Sequence, residues 1–583
     1  MSLICLIPAR AGSKGIPNKN LRSVAGISLV GRAVLAAREF IRLAGAVDAT
    51  IVVDTDGEPI AEEARRWGAS VPFLRPPELA GDAVPTIDNS LAALDRIERS
   101  GTAIDSVLLL QPTSPLRTAQ DILTCWHAYH ITKHPSVISI VETEHPAALA
   151  LHLGAGDKVA WQGEGGGERR RQELTPTYWP SGAVYLTSVA LLRREQSFIV
   201  PGTTVGIALP RERSLDIDTE DDLALAEAML SARRTESVMV GTRTIGPGRP
   251  CFIIAEAGVN HNGDGDLARR LIDIAASAGA DAVKFQTFDP DQLVAAAAPK
   301  AAYQIANSGP GETQLDMLRR LALPRELLPQ LAARAAEQGL LFLSTPFDEG
   351  SADLLDEFGL PAFKVASGEV TNHALLTHLA RKRKPMLIST GMSTMIDVAG
   401  ALEVVRANGN PPVALFHCVT DYPANPSDCN LRAIETMRRA FGVPVGWSDH
   451  TAGSNVTLAA VAAGACMIEK HFTLDRQLPG PDHLASLEPS ELHALVKATR
   501  ETEAAMGDGR KRPVPAEMAN AAVVRRSMHA ARRLSAGHVL VDRDLVALRP
   551  GTGVPPSARD RLLGRRLRVE LLQGEMLQEH HLA

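Results

Sequence analysis

Aromatic residues are scarce, 4% of 583 positions, and net charge is small, −6. Few aromatics leave little to stack on nucleic-acid bases. A pI near 6.3 excludes a chain built as a whole to hold polyanions. The cysteines Cys5, Cys125, Cys251, Cys418, Cys429 and Cys466 are scattered, with no CxxC pair. A reduced, cytoplasmic protein follows, not a disulfide framework. No apolar run reaches the ~18 residues a membrane span needs. The opening MSLICLIPARAGSKG has only a short apolar run without a basic flank, which reads as a buried strand and not a signal peptide. GxxxxGK[ST] is absent, so the chain has no Walker A loop.

What is present is ample core material, 45% hydrophobic, in a length that suggests about three or four domains. The first segment, residues 1–232, alternates strands (LICLIP, TIVVDT, SVLLLQ, SVISIV, AVYLTS, VGIAL) with helical stretches such as LVGRAVLAAREFIRLA. That is the α/β pattern of a Rossmann-like domain. GEGGGERRRQE (163–173) interrupts it and reads as a flap or a solvated loop. Glycines and a proline mark a linker at 233–249. Residues 250–506 then repeat strand and helix eight times: FIIAEAG, AVKFQTF, LFLSTPF, FKVAS, MLIST, VALFHCV, VGWSD and MIEKHF. Eight βα units predict a TIM barrel, with a doubly wound open sheet as the alternative. A charged, proline-rich linker (507–520) leads to a small β-rich segment, 521–583.

Polar residues collect at the C-terminal ends of the eight strands: Glu256, Lys284, Gln286, Thr345, Lys364, Ser367, Thr390, Cys418, His450, Glu469 and His471. A barrel brings such ends to one rim, where active sites are built. Scattering charges through apolar strands without such convergence would be costly. Taken alone, a strand histidine also reads as a hydrogen-bonded core residue, a lysine as half of a structural ion pair, and Glu469 as a partner that orients a metal ligand. A second cluster lies in IPARAGSKGIPNKN (7–20), where Arg10, Ser13, Lys19 and Asn20 accompany two glycines. Glycines let backbone N–H groups approach phosphate and the cations neutralise it; a basic surface loop is the plainer reading. In LDIDTEDD, Asp216 and Asp218 are two apart, so a strand would point both one way. Thr219 and Asp222 offer a helix cap beside them.

That loop, with QPTSPLR (111–117) and LDIDTEDD (215–222), resembles the CMP-sialic acid synthetases and related sugar-acid cytidylyltransferases. The resemblance implies that Arg10, Ser13, Lys19 and Asn20 hold CTP phosphates. It also implies that Gln111 and Arg171 face the sugar acid, and that Asp216 and Asp218 bind Mg²⁺. Relatives usually read NGAIY where this chain has SGAVY, so Ser181 stands in an asparagine's place.

Residues 250–583 resemble the sialic and legionaminic acid synthases through AEAGVNHNGD, KFQT, STPFD, KVASGE, STGM, HCVTDYP, GWSDH, EKHFTL and GPDH, in that order. The ending resembles their antifreeze-like SAF domain. The family condenses phosphoenolpyruvate with an N-acylated hexosamine. The resemblance implies Mn²⁺ or a similar divalent ion on His450 and His471, and no organic cofactor. Lys284, Lys364, Thr345, Ser367 and Thr390 would hold phosphoenolpyruvate. Glu256, Gln286, Tyr422, Glu469 and Asp482 would meet the sugar, the two glutamates being candidates for proton transfer. Arg549, in LRPGTG, would reach the barrel of a partner in a domain-swapped homodimer. Thr420 stands where relatives often carry asparagine. A pathway for the eight-carbon acid Kdo is the rival enzyme reading, and a non-catalytic sugar-binding scaffold the rival of another class.

Overall fold

The computed structural model describes residues 2–583 apart from 14, 46, 82, 145, 154–156, 162–173, 232–236, 302–303, 306–308 and 310. Arg171 and the flap expected at 163–173 therefore lie outside the described residues. The chain divides into two compact units, Met1–Ala505 and Met506–Ala583. No helix among the described residues is long and apolar enough to cross a membrane.

The first strand, Ser2–Pro8, is apolar on both faces because both are covered. Leu3, Cys5 and Ile7 pack toward helix Leu29–Ala44, while Ile4 and Leu6 pack toward helix Thr86–Arg99. It lies in a six-stranded sheet ordered Val205–Ala208, Ser136–Glu142, Tyr178–Ser188, Ser106–Leu109, Ser2–Pro8, Asp48–Asp54. Only Tyr178–Ser188 runs antiparallel to its neighbours.

The eight strands from Phe252–Gly258 to Met467–His471 form a closed barrel. Closure is the pairing of the first strand with the eighth, Phe252 opposite Met467 through to Glu256 opposite His471; an open sheet is thereby excluded. Alternate residues separate two layers, as a period of two requires. Phe252, Ile254, Leu343, Leu387, Phe416 and Met467 fill the interior. Ile253, Phe285, Val365, Ile388, Trp447 and Ile468 pack against the surrounding helices.

The segment expected to be a linker at 233–249 is in part a buried hairpin. Strands Val238–Val240 and Arg243–Ile245 pair antiparallel, and Val238, Val240 and Ile245 join the interior cluster at the start of the barrel strands. Their apolar alternation over so few residues was hidden among glycines. Elsewhere in this unit, barrel helix Met395–Ala407 packs against the N-terminal sheet's helices. Ala399 enters that core, and Arg38 pairs with Glu403 at 2.5 Å.

In the second unit, Ser527–Ala530 pairs antiparallel with Leu545–Leu548 around Met528, Leu534, Leu540, Leu571 and Leu577. Helix Pro515–Val524 runs across the boundary expected at 520/521. Arg549 is exposed and precedes a cis proline, Pro550.

Candidate active sites

Toward the C-terminal ends of the barrel strands the interior changes from apolar to charged. Above Phe416, whose ring lies 5.1 Å from the Lys364 ammonium, the inward positions are Glu256, Lys284, Lys364 and Glu469. All four are buried. Lys284 Nζ lies 2.8 Å from Glu256 and 3.8 Å from Glu469, and Lys364 Nζ lies 3.2 Å from Glu469. The result is a neutral chain of alternating charge. Any member left alone would carry the desolvation cost of a bare buried ion, so the four exist by virtue of one another.

The surroundings push the two carboxyls apart. Burial raises Glu256 above the usual carboxylate range, against the pull of Lys284. Burial acts on Glu469 in the same sense, but Lys284 and Lys364 together hold it below that range. Lys284 donates to Thr345 Oγ1 at 3.2 Å, Lys364 to Ser389 Oγ at 2.7 Å, and Ser448 Oγ to Glu469 at 3.1 Å. Gln286 reaches Glu256 at 3.4 Å, and Ser367 Oγ meets Cys418 Sγ at 3.1 Å.

His450 and His471 stand beside this chain with ring centres 5.6 Å apart, and the Tyr422 ring packs 4.2 Å from His450. Burial lowers both imidazoles below their ordinary value, so both are neutral and able to bind a cation. His450 uses Nδ1 to reach the Val419 carbonyl at 2.6 Å, which turns Nε2 outward as the free ligand atom. His471 Nδ1 is buried without a hydrogen-bond partner in the structure. Gly258, at φ +54°, closes the group: a Cβ there would sit 3.4 Å from Glu256 Oε1 and 3.5 Å from both Gln286 Nε2 and His471 Cε1. This donor set fits a divalent ion held by two imidazoles, with its other positions left to water and substrate. Among the described residues no cluster of three or more histidine, cysteine or acidic side chains forms a protein-only cage.

These groups line one cavity of about 450 Å³. Part of its outer wall is apolar, made by Val259, Phe288, Met317, Leu318, Leu321 and Phe347, with Gln304 and Gln314 beside them. Asp482 lines it from the loop after the eighth strand, and burial lifts its carboxyl to about 6. Thr390 departs from expectation. Its hydroxyl donates to the Phe416 carbonyl at 2.9 Å, and Ser389 takes the inward place. Ser389 and Ser448 are the residues that motif reading missed.

The N-terminal cavity, about 470 Å³, is lined by Arg10, Ser13, Lys19, Asn20, Gln111 and Asp218, and by Arg75, which sequence reading missed. Arg75 lies far from the glycine loop in sequence, and a buried pairing with Asp54 at 2.7 Å fixes it. Asn20 holds the loop by donating to the Arg10 carbonyl at 2.8 Å, and Lys19 reaches the Ile217 carbonyl at 2.7 Å and Asp218 at 3.1 Å. Residues 215–218 are not a strand, as the facing-carboxylate argument assumed. Ile217 is buried while Asp216 and Asp218 are exposed. Asp222, with Thr219, supplies the helix cap, which leaves the Asp218 carboxylate to Lys19. Asp216 borders a neighbouring groove with Trp179, Leu225 and Met229. Ser181 turns into the sheet, donates to Ser139 Oγ at 2.6 Å and is not among the residues lining the cavity. It sits at a bulge where Gly182, at φ +75°, gives Gln111 room; a Cβ there would lie 2.9 Å from Gln111 Oε1.

Three family models match: the cytidylyltransferase model over residues 4–145, the NeuB family model over 271–511 and the SAF domain model over 525–583. The chain is 45% identical to the N,N'-diacetyllegionaminic acid synthase of Legionella pneumophila, over 59% of this chain and 97% of that protein. The chain belongs to the NeuB family. As a NeuB-family member it is 36% identical to the N-acetylneuraminate-9-phosphate synthase of Homo sapiens (58% of this chain, 94% of that protein). It is 32% identical to the pseudaminic acid synthase of Campylobacter jejuni (56% and 95%). The synthase is fused to a cytidylyltransferase, and the whole is an enzyme of sialic- or legionaminic-type acid biosynthesis with CTP activation.

Proposed function

We propose that the barrel joins C3 of phosphoenolpyruvate to the aldehyde carbon of an open-chain N-acylated hexosamine. Water adds at C2, and phosphate leaves with C–O cleavage to give a nine-carbon 2-keto acid. The N-terminal region then brings the anomeric hydroxyl of that acid onto the α-phosphorus of CTP, with loss of pyrophosphate. The observation that carries this reading is the buried Glu256–Lys284–Glu469–Lys364 chain beside two neutral imidazoles. Lys284 and Lys364 would hold the phosphate and carboxylate of phosphoenolpyruvate, with Thr345, Ser367 and Ser389 donating hydrogen bonds. Gln286, Tyr422 and Asp482 would hold the sugar, while Glu256 and Glu469 are in reach for proton transfer. A divalent ion such as Mn²⁺ on His450 and His471 would supply Lewis-acid polarisation of the aldehyde. In the other site Arg10, Ser13, Lys19 and Asn20 would hold the triphosphate. Gln111 and Arg171 would hold the sugar acid, and Asp216 and Asp218 would hold Mg²⁺.

The apolar part of the cavity wall suits the additional acetyl and C6 methyl groups of a di-N-acetylated 6-deoxyhexose better than the hydroxyls that N-acetylmannosamine carries there. The higher identity to the legionaminic synthase points the same way. The same reading makes the protein a cytoplasmic homodimer in which Arg549 serves a second copy's site. Its six unpaired, buried cysteines support a reducing compartment. One assay tests the whole. Purified protein with phosphoenolpyruvate, Mn²⁺ and each hexosamine should release phosphate and give a product of the condensed mass, and CTP with that product should release pyrophosphate. Phosphate release without a condensed product, or none with either acceptor, would refute the synthase reading.

A further inference from the structure

Asp482 lines the cavity, and among the described residues only burial acts on its carboxyl, with no hydrogen-bonding or charged partner beside it. Whatever aims it must act through its backbone. The loop from Pro479 to Leu487 is stitched to the exits of the first and eighth strands by buried side chains. Asn260 Nδ2 donates to the Phe472 carbonyl at 2.8 Å and to Ser486 Oγ at 2.9 Å; Ser486 Oγ in turn donates to the Asp482 carbonyl at 2.6 Å. Asn262 Nδ2 donates to the Pro479 carbonyl at 2.8 Å and lies 3.2 Å from His483 Nε2. An amide donor on Nε2 fixes the other tautomer, so His483 Nδ1–H donates to Thr473 Oγ1 at 2.6 Å. Asn260, His483 and Ser486 are each 1% exposed.

From this geometry we propose that Asn260 and Ser486, relaying to the Asp482 backbone, are positioning residues for the sugar acceptor, with Asn262 and His483 bracing the same loop. This rests on the reading above, in which Asp482 meets the acceptor. The side chains reach neither Lys284 nor Lys364, so the phosphoenolpyruvate end lies outside their control. A clasp that merely held the fold together would weaken both substrates and the protein alike.

The test is steady-state condensation by Ser486→Ala and Asn260→Ala in the full chain, varying each substrate separately, with bound Mn²⁺ and thermal midpoint recorded. The acceptor KM should rise about tenfold, the worth of one lost buried hydrogen bond, while kcat and the phosphoenolpyruvate KM stay within about twofold. Adding Ser486→Ala to Asp482→Ala should raise the acceptor KM no further, because both changes act through one group. An additive double variant, equal rises in both KM values, or a lowered midpoint without a KM change would overturn the assignment. Wild-type protein inert with every hexosamine would sink the condensation reading itself, and this inference with it.

Discussion

In the barrel, Lys284 sits 2.8 Å from Glu256 with 3% and 2% of the two side chains exposed; in the N-terminal site, Lys19 sits 3.1 Å from Asp218, which keeps 75% of its side chain in water. The two pairs are similar in distance and unlike in energy. The buried pair has given up its hydration and is held by mutual attraction, by the Lys284 hydrogen bond to Thr345 and by Glu469 beside Lys284. In the second pair Asp218 is screened by water, while the partly buried Lys19 also donates to the Ile217 carbonyl. One charge network is dry and fixed by its partners, and the other keeps one member in water. Breaking the two in parallel is the way to test that contrast.

The largest effects fall on activity. His471→Ala should lower condensation by roughly a thousandfold or more, through loss of Lewis-acid assistance, and leave pyrophosphate release from CTP intact. Asp218→Ala should do the reverse. Both reactions are read on the same preparations, and a single change that silenced both in folded protein would refute two independent sites.

Next in size is stability. Lys284→Met leaves two buried carboxylates short of a cation and should cost about 3–5 kcal/mol. Lys19→Met should cost less, about 1 kcal/mol, because Asp218 is left in water and the loss is mainly the hydrogen bond to the Ile217 carbonyl. Urea unfolding followed on each variant separates the two. Equal losses would mean that the barrel charges are hydrated after all.

Much of this contrast was legible in the chain. The barrel followed from eight apolar runs, and the rim from the polar residues that end them. Period-two alternation would have placed the rim more finely than motif matching did. Leu387 faces inward and Ile388 outward, so Ser389 must face the cavity and Thr390 the helices. Trp447 is outward and His450 inward, which puts Ser448 inside. Arg75, by contrast, comes to its cavity only through the tertiary pairing with Asp54, which no local pattern announces. Asp216 and Asp218 flank a buried Ile217 outside any strand, so a period-two reading assumed an element that the chain does not form there. A third prediction uses the alternation. Ser389→Ala, which strips a hydrogen bond from buried Lys364, should raise the phosphoenolpyruvate KM roughly tenfold, and Thr390→Ala should leave it unchanged.

The smallest expected effect concerns Asp482, which among the described residues lines the cavity with no cation beside it. Burial lifts it from 3.8 to about 6, so between those values the folded protein binds a proton that the unfolded chain has released. Stability from this group is full below pH 3.8 and is lost as pH rises through about 6. Asp482→Asn stays neutral throughout, so the stability of wild type relative to this variant should decline across that window and level off above it. Urea midpoints of the two proteins from pH 4 upward read the difference directly. The same ionisation puts a carboxylate in front of the acceptor hydroxyls, so the wild-type acceptor KM should fall as pH rises through about 6, and that limb should vanish in Asp482→Asn. A wild-type profile parallel to the variant's would show that Asp482 is as well hydrated as Asp218, and the division between a dry site and a wet one would then end at the mouth of the barrel.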